Sequence, residues 1–182
     1  MVVAQFTEEM INKLSEIKGK RFISFECEKG DGFSRAFGNI RMNFEDCSIE
    51  LINDIEALPF YDSIEDIAVF SCKEVDSNVP FIPMVITETR IVPVDEVVKS
   101  IRIINDEIVI NDGDYSITMD VGLVIDTESQ TYMFSKGIWF SEIISISYND
   151  DINSIYPIES VINDWNNDGE DKVIVNRTEQ TL

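Results

Sequence analysis

The chain has 182 residues, 35 Asp and Glu against 14 Lys and Arg, a net charge of −21 and no histidine. That length supports one domain with a sizeable core, residues 1–182 as a single unit. A field this negative repels nucleic acid and anionic lipid and attracts basic proteins and cations. The lack of histidine removes Ser-His-Asp and Cys-His nucleophile pairs, most catalytic zinc sites and the commonest general acid–base.

The first element predicted is a helix. In Thr7–Lys20, Met10, Ile11, Leu14 and Ile17 recur at helical spacing, Thr7 precedes two acids, and Gly19 follows the last apolar residue. Thr7 as N-cap and Gly19 just past the end bound a short amphipathic helix. The pattern then changes to period two. RFISFECEKG sets Ile23, Phe25 and Cys27 on an apolar face against Phe22, Ser24, Glu26 and Glu28, as in a half-buried strand. Gly30-Asp31-Gly32 reads as a turn. FSRAFGNIRMNF, weakened by Gly38, then CSIELIND and DIAVFSCKEV, read as further strands. Pro80 and Pro83 bracket an irregular connection before MVITETRIV alternates again.

Four short strand candidates follow, VVKSIRIIND, EIVIND, YSITMDVGLVIDT and QTYMFSKG. Turn signals separate them at Asn105-Asp106, Asn111–Asp114 and Thr127–Ser129, and Asp112-Gly113 is a strong hairpin signal. IWFSEIISISY fits a strand or a buried helix, with Trp139 and Phe140 expected in the core. Pro157 near a helix start puts Ile158, Val161, Ile162 and Trp165 on one face. KVIVNRTEQTL closes the chain as an edge strand. The expected fold is α+β: a mostly antiparallel sheet or β-sandwich with a short N-terminal helix and a C-terminal helix.

Little in the chain signals catalysis. Cys27, Cys47 and Cys72 are odd in number and widely spaced, which argues against a disulfide framework or a zinc site. No GxxxxGK[ST] or GxGxxG is present, so no nucleotide cofactor is expected. Asp164-Trp-Asn166-Asn-Asp168-Gly169 opens like a calcium loop, but Val175 stands where the closing bidentate Glu belongs. No metal or other cofactor is expected. The N-terminus lacks the basic and long apolar segments of a secretory signal, and no run approaches 18 apolar residues, so a cytoplasmic protein is expected.

The charge is unevenly placed. Residues 1–41 hold seven bases and six acids, and residues 42–182 hold seven bases and 29 acids. Ile103–Ser135 and Asn149–Asp171 each carry seven acids and no base. Exposed acids give fast encounter, and tight interfaces add desolvated anchors rich in Tyr and Trp. The expected partner-binding patch joins the Asn111–Tyr115 hairpin, with Asp112, Asp114 and Tyr115, to the segment carrying Asp150, Asp151, Tyr156, Glu159, Asp164 and Asp168. Tyr156, ahead of Pro157, is expected at the surface, and Trp165 in the core.

The acidic chain, and KGIWFSEIISISY followed by an acidic helix, resemble the immunity proteins of bacterial contact-dependent growth inhibition and related polymorphic toxin systems. The likeness covers about the last third of the chain. It implies a cytosolic antidote that binds one cognate toxin, often a nuclease. The expected function is therefore non-catalytic: an acidic protein that neutralises a basic partner, with no nucleic acid and no membrane. The alternatives are a structural or adaptor subunit whose charge serves solubility, and a calcium-binding protein.

Overall fold

Alternating apolar residues are the chain's main instruction, and they produce two packed sheets. The computed structural model describes residues 1–29, 34–85, 88–166 and 169–182. The expected turn at Gly30–Gly32 lies outside the described residues. In chain order the elements are β1 (Val2–Ala4), α1 (Glu8–Ser15), β2 (Arg21–Glu28), β3 (Arg35–Phe37), β4 (Asn39–Phe44), β5 (Ser48–Phe60) and β6 (Ser63–Val75). Then come β7 (Thr89–Val97), β8 (Ser100–Ile110), β9 (Tyr115–Asp126), β10 (Thr131–Lys136), β11 (Ile143–Tyr148), α2 (Ile152–Ile155), α3 (Ile158–Trp165) and β12 (Val173–Thr181). One sheet has the order β6-β5-β4-β2-β7, the other β12-β8-β9-β10-β11-β3. All pairings are antiparallel except that of β1, which runs parallel to β9 at Ile117–Met119, beyond the stretch that β10 covers. The fold is α+β and mostly antiparallel.

Phe22, Phe25, Met42 and Leu51 from the smaller sheet meet Leu123, Ile125, Tyr132 and Phe134 from the larger. Phe22 lies edge-on to Tyr132 and Phe25 edge-on to Phe134, each at 5.5 Å between ring centres. Each such buried aromatic contributes about 2–3 kcal/mol. Helix α1 adds Leu14 and Ile17 to this core. Its N-cap is Thr7, whose hydroxyl accepts from the Met10 N–H at 3.3 Å. The helix ends at Ser15, earlier than expected, and Gly19 turns the chain with φ +84.

Two β-bulges change which side chains face inward, because period two survives only while pairing is regular. In β2 the register shifts between Phe22 and Ser24, so Phe22 and Phe25 are both buried and Ile23, expected inside, is 43% exposed. In β9 the shift falls at Val121. Leu123 and Ile125 enter the inter-sheet core, while Ile117, Met119 and Val121 face the other way.

That second face forms an outer core. There α2 and α3 lay Ile152, Tyr156, Val161 and Trp165 over Ile104, Ile108, Ile117 and Met133. The close approach needs Gly122, since a Cβ there would stand 3.1 Å from Ile152 Cδ1. A buried ion pair fastens the layer. Arg177 of β12 grips Asp106 of β8 with two bonds of 2.7 Å, and also donates to the Tyr156 carbonyl at 2.7 Å. Asn105-Asp106, expected as a turn, is therefore mid-strand, and Asp106 is fully buried. The polar dipeptide marks a paired charge, not a chain reversal. Gly38 separates β3 from β4 with φ +74 and lets them join different sheets.

Candidate docking surface at the tip of the long hairpin

Strand β5 loses a neighbour after Ile52. β4 pairs with it from Ser48 to Ile52, but β6 pairs with it all the way to Phe60. The outer half of the β5–β6 hairpin is thus a two-stranded ribbon, and such ribbons are marginal alone in water. The rest of the fold supports it. Asn53 Nδ2 donates to the Ser141 carbonyl at 2.9 Å, and the Ala68 N–H donates to the Trp139 carbonyl at 2.9 Å. The Lys136 ammonium donates to the Ala68 carbonyl and lies 5.3 Å from the centre of the Phe70 ring. Burial pulls the pKa of this lysine down to about 7, against the opposing pull of Asp120, Glu56 and Asp106. Leu58, Phe60, Ile67 and Val69 join the outer core.

The ribbon was not legible as strand because Pro59 interrupts it. Proline is tolerated on edge strands, and β5 beyond Ile52 is one. The tip is a two-residue turn, Tyr61-Asp62, where Gly or Asn is the usual choice. Tyr61 adopts φ +51, a left-handed conformation that bulky residues avoid. It is 45% exposed.

Six rings run through this end of the molecule. Tyr61 lies 4.9 Å from Phe60 and 5.4 Å from Tyr115. Tyr115 stacks on Trp165, Trp165 lies 4.7 Å from Trp139, and Trp139 lies edge-on to Phe140. The middle of the series is buried and its ends are open: Tyr61 is exposed, Phe140 is 52% exposed, and Ile64 beside the tip is 69% exposed.

Carboxylates surround the Tyr61 end. Asp54, Glu56, Asp62, Glu65 and Asp66 of the ribbon are exposed. The 111–114 turn arrives beside them, held by Asn111, which donates to Asp171 at 2.6 Å and accepts from the Lys172 N–H at 3.0 Å. Desolvation and the charges of Asp171 and Asp114 raise the pKa of the Tyr61 hydroxyl, so these groups share one electrostatic neighbourhood. The last turn of α3 adds Asp164, whose carbonyl accepts from Trp139 Nε1 at 3.3 Å and whose carboxyl is shifted up by partial desolvation. Among the described residues, Asp112 is the one acid of this end held in an ion pair, with Lys172 at 2.5 Å.

The structure divides the residues expected to bind a partner. Asp112 and Asp114 lie on the 111–114 turn beside the tip, and Asp164 lies farther along the ring series, where its carbonyl accepts from Trp139 Nε1. Asp150 and Asp151 are exposed near Thr178 and Glu179, six residues along β12 from Val173, which is about 20 Å. Asp151 also has a local duty there, capping α2 by accepting from the Asn153 N–H at 2.7 Å. Glu159 is exposed on α3, between the two ends. Asp168 lies outside the described residues, as does Asn167 of the calcium-like stretch.

Three aromatic expectations are corrected. Tyr115 is 6% exposed and donates its hydroxyl to the Pro59 carbonyl at 3.1 Å, so the ribbon covers it and Tyr61 takes the open position. Tyr156 is 1% exposed, because α2 draws it onto the outer core, where the Arg177 guanidinium lies 5.7 Å from the centre of its ring. Phe140, expected in the core, is open because the 137–142 loop leaves the sheet before β11 begins. Trp165 is buried as expected. The missed signal was in plain sight: residues 42–72 hold eight acids and no base, with Phe60-Tyr61 among them.

Burial raises the pKa of all three thiols, that of Cys72 to about 12, which disfavours the nucleophilic thiolate. Among the described residues, no three acids or thiols gather as a metal-binding group, and no helix is long and apolar enough to cross a membrane. No family model, curated protein or solved structure matches the chain.

Proposed function

We propose that this chain is a non-catalytic inhibitor in the cytosol. It binds a basic protein through the hairpin tip, and the partner is a toxin nuclease whose phosphate-binding cleft the acidic end occupies. One observation supports the reading: exposed carboxylates of the ribbon and Asp114 of the 111–114 turn lie around the open ring of Tyr61 at the hairpin tip. A nuclease cleft must be cationic to hold phosphate. An acidic face competes for the same field, while desolvated aromatics supply holding strength. The resemblance to toxin-immunity proteins supports the same partner class.

The test is protection in cells. The chain is co-expressed with a basic toxin-nuclease domain, sought first in the reading frame next to its own, and growth is scored. Wild-type chain should restore growth, and Tyr61→Ala combined with Asp62→Lys should lose at least tenfold in protection at equal expression. Equal protection by the double variant would refute the assignment of the tip.

A further inference from the structure

Among the described residues, Arg35 is the only Lys or Arg side chain without a hydrogen-bond or ion-pair partner, although acids outnumber bases 35 to 14. It is not idle in space. Arg35 on β3 pairs in register with Ser145 on β11, so the two side chains share the outer face of the larger sheet. Ser147 follows two residues along the same face, and α2 brings Ser154 and Ile155 opposite. Together with Ile143 these side chains line a cavity of about 410 Å³. No Asp or Glu among the described residues lines it. Ser147 lines the cavity and is 6% exposed, and among the described residues its buried hydroxyl has no hydrogen-bond partner. A buried hydroxyl left unmatched carries a desolvation penalty that a ligand acceptor removes.

We propose that this cavity binds a small mono-anionic carboxylate with a short apolar body. The Arg35 fork matches a carboxylate with two parallel N–H···O bonds, and the Ser147 hydroxyl donates a further bond. The volume falls in the usual range for small-ligand pockets and far exceeds a carboxylate alone, so the ligand extends, and Ile143 and Ile155 offer its body an apolar wall. The molecule's net charge of −21 selects for the least charged anion, because each further negative charge on the ligand works against the field of the whole protein.

The experiment is an NMR titration of the full chain at constant ionic strength. Acetate, butyrate and hexanoate are the probes, with hexanol as the uncharged match in length and inorganic phosphate as the more highly charged anion. Saturable shifts are expected at the Arg35 Nε–H and at the Ser145 and Ser147 amides. Affinity should rise about fourfold per added methylene until the apolar wall is covered. Arg35→Gln should weaken hexanoate about tenfold or more with a melting temperature close to wild type, since among the described residues the side chain makes no hydrogen bond or ion pair. Ser147→Ala should weaken it a few-fold. Equal hexanoate affinity in Arg35→Gln, hexanol binding as tightly as hexanoate, or phosphate binding more tightly would each overturn the assignment.

Discussion

The two ends of the β5–β6 hairpin treat charge in opposite ways. At the Ser48–Val75 end, acids meet bases: Lys20 pairs with Asp46 at 2.7 Å, Arg21 with Asp95 at 2.9 Å, Lys73 with Glu50 at 3.1 Å and Lys13 with Glu9 at 3.5 Å. At the Phe60–Ser63 end, Asp62, Glu65, Asp66 and Asp114 make no ion pair among the described residues. Twelve residues of strand, about 40 Å, separate the two. Exposed pairs add little to stability, so their placement matters more for the shape of the field. With Lys172 as the one base paired to an acid at the tip among the described residues, the carboxylates there keep most of their charge, and such a local negative field steers a cationic partner.

The largest effect is expected where the acidic pole is anchored to the fold. Asp106→Ala leaves Arg177 buried without its carboxylate, and should lower stability by about 3–5 kcal/mol in urea unfolding. A loss under 1 kcal/mol would mean that β12 and the outer helices are not held by this pair.

A smaller effect is expected at Lys136, which ties the ribbon to β10. Burial lowers its pKa in the folded chain, so between about pH 7 and 8 the unfolded chain binds more protons than the folded one. Stability should therefore rise with pH, by about 1 kcal/mol per unit. Toward pH 8 the cysteines of the unfolded chain begin to ionise and flatten this rise, a contribution that Lys136→Met shares. Lys136→Met should be more stable than wild type at pH 7 and should lose the slope. Parallel slopes in melts of the two proteins would show that Lys136 is not the titrating group.

The smallest change in stability is expected at the tip itself. Asn tolerates a positive φ better than Tyr, so Tyr61→Asn should relieve backbone strain while losing ring contacts. It should shift stability by under about 1 kcal/mol while weakening the partner complex. A large loss of both would make Tyr61 a folding residue and not an anchor.

Much of the scaffold was legible because its signals are local. Thr7 caps a helix, Asp112-Gly113 sits in the turn between β8 and β9, and Pro157 precedes α3 as its position implied. The mistakes arose where distant residues decide. A bulge turns Ile23 outward. Arg177, 71 residues away, makes Asp106 a strand residue. Tyr115 and Tyr156 are covered by segments that their own neighbourhoods do not reveal. The acids at the tip were each visible, but only pairing across the long hairpin brings Asp62 and Glu65 beside the turn that carries Asp114.

Charge reversal at the two ends measures the importance of that pole directly. In stopped-flow binding to the proposed basic partner, across a series of salt concentrations, Asp62→Lys, Glu65→Lys and Asp114→Lys are combined in one variant. Asp46→Lys, Asp95→Lys and Glu9→Lys, at the opposite end, make its match in net charge. The tip variant should associate at least tenfold more slowly at low salt and lose most of its salt dependence, while the matched variant stays within about threefold of wild type. Equal slowing by both variants would mean that net charge alone drives association and that the tip is no docking surface.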